Sequence, residues 1–446
     1  MSNRGAVTRL SERVYEMLFD ETEERACRDI SEAECHEAPR NFSLNAANGA
    51  ATKFAEQLAS PDLTLPWMLS AIGAPVAITG LLVPLRRAGS LLPQLAASGR
   101  IRALPIRKSV WVGAAAVQTA SLALMAVSVA FLSGLIAGIA IAALLAVFSV
   151  ASGVASVAYK DVLAKTIPKG RRGRLLAVRS AIGGLLTIGA GLVLYLVVRD
   201  SADRLPYVIL VAGAALLFGL AALLFARIRE QPGATAGGRT PFEELAAAWQ
   251  LFHTDHPFRR FVAARALLLT VLLLQPFYVV LSRQITADAS GALGSFVIAA
   301  GIGRMLGGPV WGGLADRAAH RAMILGGLLA VAAAGWALGF GLLPASAQRF
   351  YLFAPVFILN AIAYAGVRLG RKTWLVDYAP TEDRPLYVSL ANTLVGVAML
   401  VGSLLGFVAQ LIGTGGTVAL GAALLLAGVG FAASLPRPVE NESPAG

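Results

Sequence analysis

Positive charge falls in every other gap between the apolar stretches of this chain, and few folds permit that pattern. Arg100, Arg102, Arg107 and Lys108 fill one gap, while the next, near Ser133-Gly134, carries no charge. Lys160, Lys165, Lys169, Arg171, Arg172 and Arg174 crowd the following gap, and the one after it holds Arg199 and Arg204 against Asp200 and Asp203. Short loops rich in Lys and Arg stay on the cytoplasmic side of a bilayer, so the alternation describes a chain that crosses a membrane repeatedly. Hydrophobic residues make up 57% of the chain, charged ones only 14%, and the mean hydropathy is +0.68. A soluble domain cannot hide that much apolar surface from water. The formal charge of +12 would suit a nucleic acid, but the cations lie in loops between spans rather than on one face. Membrane orientation and attraction to anionic lipid account for them, and no nucleic-acid partner is expected.

The first forty residues are charged and contain no apolar core of a signal peptide, so the amino-terminal tail is expected to stay in the cytoplasm. Leu10, Val14, Met17 and Leu18 recur there at helical spacing, as in a short amphipathic helix lying on the membrane. Cys27, Cys35 and His36 lack the ligand number and spacing of a structural zinc site, so reduced thiols in a packing role are expected and no metal or cofactor.

A bilayer core takes about 20 apolar residues per helix. Residues 109–159 and 385–436 are uncharged and long enough for two helices each, turning near Gly134 and near Gly413-Thr414-Gly415-Gly416. Single spans read at 75–95, 180–198, 206–226, 261–282, 293–314, 323–343 and 350–367, and a polar first span at 42–68 is interrupted by Asn45, Asn48, Lys53 and Glu56. The expectation is an all-α integral membrane protein of about twelve transmembrane helices in two pseudo-symmetric bundles of six. Its parts are a cytoplasmic tail 1–41, a bundle 42–227, a cytoplasmic linker 228–259, a second bundle 260–435 and a cytoplasmic tail 436–446. Within the linker, 242–252 reads as a short amphipathic helix.

The halves echo one another. Arg86-Arg87 followed by Gly89 in the second span corresponds to Arg304 followed by Gly307-Gly308 in the eighth. Between the eighth and ninth spans lies Gly312-Gly313-Leu314-Ala315-Asp316-Arg317-Ala318-Ala319-His320-Arg321. These ten residues resemble the G-x-L-a-D-r-x-G-r-r motif of the major facilitator superfamily, with Ala319 in place of a glycine and His320 in place of a basic residue. The resemblance implies a cytoplasmic gate built from Gly312, Asp316, Arg317 and Arg321, in which Asp316 pairs across helices and caps the start of the eleventh span. The corresponding first-half loop, Gly99 to Lys108, keeps the basic residues but has no aspartate, so that half must close by other contacts. Independently, a carboxylate at a helix amino terminus contributes about 0.3–1 kcal/mol, enough to bias a two-state equilibrium and weak enough to break in each cycle.

Ionisable groups in a span cost at least about 2.5–3.5 kcal/mol on insertion scales and usually mark a pathway. Lys53 and Glu56 stand three apart on one helical face, with Asn45 and Asn48 on much the same side. Arg86, Arg87 and Arg304 have no acidic partner within their own spans and need one elsewhere, or an anionic substrate. Gln275, Tyr278, Asn360, Tyr364 and Asn392 are the deeper polar groups of the second half, either lining a cavity or making interhelical hydrogen bonds.

These features describe a secondary active transporter of a small solute in the cell membrane, monomeric and working by alternating access. Protons are the expected coupling ion, with Glu56 as the titrating carboxylate. No Walker motif points to ATP. His36, His253, His256 and His320 all fall in the tail or loops, so no span offers a histidine base, and an enzyme is not expected. The alternative is a polytopic receptor or scaffold that transports nothing.

Overall fold

The computed structural model describes residues 32–168, 172–197, 203–232, 250–286, 291–380 and 384–436. Helices supply every regular element among them. In hydrocarbon each backbone donor and acceptor needs an internal partner, and a helix satisfies its own within one segment. Among the described residues, eight helices are long and apolar enough to cross a membrane, and two shorter apolar ones lie at Ile182–Leu196 and Leu386–Gly402. The charged first and second spans complete twelve. The outer surface is apolar: Phe131, Leu216 and Leu411 are each more than three-quarters exposed, which suits lipid and would be a liability in water.

The first span begins earlier than its hydropathy suggests, at Glu32, and runs to Leu58. After a break at Ala59–Leu63 the chain resumes helix at Thr64–Ala71, whose Leu65, Trp67, Met68 and Leu69 are buried. Cys35, near the start of this span, is disulfide-bonded, where the sequence reading expects reduced thiols. The second span is Val76–Arg102 and contains Pro84 and Pro93. The third and fourth are Lys108–Phe131 and Gly134–Thr166, joined at Gly134 with φ of 59°, a conformation that glycine adopts without steric cost. The fifth and sixth are Arg172–Val197 and Leu205–Ala226.

The seventh span is also discontinuous, in three pieces: His256–Leu268, Thr270–Leu273 and Gln275–Ile285, the last with Pro276 in its first turn. The eighth to tenth spans are Ala292–Arg317, Ala319–Phe340 and Phe350–Phe353 continued by Pro355–Tyr378. The eleventh runs Arg384–Gly402 and, past a turn at Ser403-Leu404, into Leu405–Ala433, where Gly413 (φ 76°, ψ 168°) makes the hairpin into the twelfth. The expected helix at 10–18, and most of that at 242–252, lie outside the described residues.

Within each half the spans pack on one another, and the halves meet along two seams: second span on eleventh, and fifth on eighth. Small residues set these approaches. A Cβ on Gly80 would lie 2.5 Å from the Cα of Gly406, and one on Gly294 would overlap the Tyr195 backbone. On the eighth span, Gly303 and Gly307 face the tenth span closely, whereas Gly308 and Gly312 face open space.

Candidate solute cavity

The first span of each half is broken, the first at Ala59–Leu63 and the seventh at Leu269 and Leu274. Interrupted spans in corresponding positions are the usual address of a transporter's binding site, since non-helical backbone at membrane depth is tolerated only against protein or water. A cavity of about 1010 Å3 lies there, lined from both halves. Its wall on the fourth span runs from Leu145 through Phe148 and Ser152 to Ser156, and on the tenth from Ala361 to Arg368. Both runs lead towards the face that carries the ends of the described chain, where Trp374 Nε1 donates to the Pro436 carbonyl at 3.1 Å.

The opposite end is closed by contacts across the halves. Arg283 of the seventh span donates to the Trp67 carbonyl at 2.8 Å and lies 4.9 Å over that indole ring, while Trp67 meets Phe296 edge-on at 6.1 Å. Arg304 of the eighth span donates to Gln57 Oε1 at 2.8 Å and stands 3.7 Å from Asp62. The glycine contacts of both seams, Gly80 with Gly406 and Gly294 with Tyr195, lie towards this end.

Glu56 is the electrostatic centre of the first half. Lys53 Nζ reaches one oxygen at 2.6 Å and Arg86 the other at 3.2 Å. Arg86 also lies 5.3 Å over the Phe148 ring, a cation–π placement that holds the guanidinium at the wall. Behind them, Arg179 donates to the Asn45 carbonyl at 2.7 Å and to Asn45 Oδ1 at 2.6 Å, with Asn48 Oδ1 at 3.5 Å. Asn48 in turn donates to the Ala221 carbonyl at 2.9 Å.

Of the residues singled out in the sequence, Lys53, Glu56, Arg86, Arg87, Gln275, Arg304 and Tyr364 line the cavity. Asn45 and Asn48 are buried behind it and anchor Arg179. Asn392 accepts from Arg265 at 2.7 Å. Tyr278 and Asn360 are buried away from the lining, Tyr278 edge-on to Phe357 at 6.5 Å. Gln57, Asp62, Arg179 and Arg368 also line the cavity and carry no signal in the sequence that sets them apart. Arg179 and Arg368 adjoin the expected ends of the fifth and tenth spans and so read as loop charges.

At the face carrying the chain ends, Gly312, Arg317 and Arg321 stand at the junction of the eighth and ninth spans, where Ala318 interrupts the helix. Arg317 and Arg321 are exposed, and the Asp316 carboxylate lies outside the described side chains. In the first half, which has no aspartate in its motif loop, Glu230 supplies the carboxylate instead. Its side chain is fully buried and accepts from the backbone N–H of Arg107 at 3.0 Å and of Lys108 at 2.7 Å, the start of the third span. Lys165, at the end of the fourth span, closes the set at 3.0 Å, and Arg107 pairs with Asp161 at 3.3 Å. Asp255 does the parallel work in the second half. It caps the seventh span through Phe258 N at 2.9 Å and accepts the hydroxyls of Tyr378 and Tyr387, each at 2.7 Å.

Comparison with known proteins agrees with this architecture. The family model for the Major Facilitator Superfamily matches residues 48–334 and 273–446. The uncharacterised protein Rv2209 of Mycobacterium tuberculosis (strain ATCC 25618 / H37Rv) is 28% identical over 389 residues, covering 84% of this chain and 73% of the relative. Among solved structures, the nucleoside transporter NupG superposes with a TM-score of 0.70 at 12% identity, covering 89% of this chain and all of NupG. A D-xylose-proton symporter gives 0.63 at 13% identity, covering 90% and 98%.

Proposed function

The chain belongs to the Major Facilitator Superfamily, and we propose that it carries a small solute across the cell membrane by alternating access, with protons as the coupling ion. The observation that carries this reading is the cavity, lined by both halves and closed at one end by cross-half contacts. The bundles 42–227 and 260–435 would rock about this cavity as rigid bodies, with the chain ends and the linker in the cytoplasm. The described conformation then corresponds to the inward-open state, because the cavity walls lead towards the face of the chain ends while the seams are closed opposite.

Glu56 is the coupling carboxylate in this scheme. It is engaged by Lys53 and Arg86 in the inward-open state, and a proton can take their place when rearrangement of the first span draws them apart. Proton uptake and solute binding then bias the same equilibrium between two states. The test is solute flux into proteoliposomes driven by an imposed pH gradient. The native protein is expected to accumulate solute, and Glu56→Gln to lose gradient-driven accumulation while still exchanging solute down its own gradient. Unchanged gradient-driven accumulation in that variant would remove Glu56 from the mechanism.

A further inference from the structure

The charges that face the cavity do not balance. Six cations line it, Lys53, Arg86, Arg87, Arg179, Arg304 and Arg368, against the carboxylates Glu56 and Asp62. Both carboxylates are occupied: Glu56 holds Lys53 and Arg86, and Asp62 is shared with Arg304. Arg179 is satisfied by asparagine oxygens. Arg87 and Arg368 are left exposed in the cavity and make no ion pair among the described residues.

The surroundings of these two arginines add further cations, and the one carboxylate in reach of Arg87, Glu56, is already engaged by Lys53 and Arg86. Arg368 stacks 5.9 Å from the Tyr364 ring. Arg87, from the other half, is within electrostatic reach of the Tyr364 hydroxyl and of Arg371. Arg371 Nε is buried without an acceptor, as is Nε of Arg265 nearby on the seventh span. Like charges gathered at membrane depth repel, and a buried guanidinium donor with no acceptor costs free energy. Such a cluster is stable in a transporter when its partner arrives with the solute.

We propose that the cavity selects a small solute bearing two or more negative charges on oxyanion groups, one of them held by Arg87, Arg368 and Arg371. The planar guanidinium fork matches carboxylate and phosphate oxygens alike, so the solute is a di- or tricarboxylate or a phosphate ester. Three guanidiniums, Arg87, Arg368 and Arg371, gather here against one carboxylate in reach, Glu56, which Lys53 and Arg86 already occupy, so the excess of positive charge exceeds what a single negative charge offsets. The subsite also straddles the halves, Arg87 on the second span and Arg368 and Arg371 on the tenth. An oxyanion bound there replaces repulsion across the open mouth with attraction on both sides, which favours closure around the solute. This inference rests on the cavity being the transport pathway.

The test is thermal denaturation of the full-length protein in detergent at low salt, with succinate, citrate, glycerol 3-phosphate, uridine and xylose, and with sodium gluconate at matched ionic strength as a monovalent control. Succinate, citrate or glycerol 3-phosphate should raise the melting temperature saturably, and gluconate, uridine and xylose should not. Arg368→Gln and Arg87→Gln, both exposed positions that should fold, should each weaken the apparent affinity at least about tenfold, with Arg368→Lys in between. Citrate and succinate against glycerol 3-phosphate separates the carboxylate from the phosphate source. A response to uridine or xylose that Arg368→Gln leaves intact would overturn the proposal, and so would no response to any multiply charged anion at millimolar concentration. Flux of a neutral solute through proteoliposomes would sink the anion assignment while leaving the transporter reading standing.

Discussion

Replacing Glu230 by alanine should destabilise the first half by an amount that can be worked from its contacts. The carboxylate is fully buried and is the shared acceptor for the N–H groups of Arg107 and Lys108 and for the Lys165 ammonium. Removing it leaves two backbone donors at the start of the third span without an acceptor, and one largely buried cation, Lys165, without a counter-charge and with only the Pro105 carbonyl at 2.9 Å. Breaking a buried pair by deleting one partner costs about 3–5 kcal/mol. At ~2–4 °C per kcal/mol for a domain of bundle size, the melting midpoint should fall by roughly 6–20 °C. Glu230→Gln, which keeps an acceptor oxygen but not the charge, should fall by less. The assay is differential scanning fluorimetry on detergent-purified protein, with Lys165→Met and the double variant completing a cycle. A drop below about 2 °C for Glu230→Ala, or strict additivity with Lys165→Met, would show that these contacts do not staple the third, fourth and sixth spans together.

Two further outcomes test the remaining architecture. Asp255→Asn keeps the cap on Phe258 but weakens both tyrosine contacts, and should lower the melting midpoint of the second half by an amount equivalent to about 1–3 kcal/mol, read in the same fluorimetric assay. Gly294→Ala forces a methyl group into the Tyr195 backbone, so the seam between the fifth and eighth spans should part and uptake should be lost while the protein still folds. Labelling of a cysteine introduced at Tyr195 in a background free of Cys27 and Cys35 should then rise at least about threefold, and labelling that matches the parent would show that the seam tolerates the methyl group.

The span count and both tight hairpins were legible because the third-to-fourth and eleventh-to-twelfth stretches are uncharged and turn at glycines, Gly134 and Gly413, that adopt positive φ. The start of the first span was not, since Glu32 to Arg40 is polar and hydropathy cannot see a helix that continues beyond the apolar region. Glu56, Arg86, Arg87 and Arg304 were visible as charges in apolar surroundings, where bilayer physics demands a reason. Arg179 and Arg368 escaped because each sits within a residue of an expected span end, where a cation is ordinary. Arg265 lies within the expected seventh span, and only the fold shows that its partner is Asn392 on another span. Glu230 could not be read at all, since its partner Lys165 is 65 residues away and only the folded bundle brings them together.

Backbone meets backbone where Gly80 and Gly406 cross, and such a contact has few rotamers to unlock when it parts. In the proposed cycle the second and eleventh spans therefore separate with little friction from interlocked side chains. The kinetic barrier then concentrates in a few polar latches, Arg283 on the Trp67 carbonyl and Arg304 on Gln57. The seam behaves as a bearing and the arginines as its brake: the glycines set how far the halves can travel, and the arginines set how often they move.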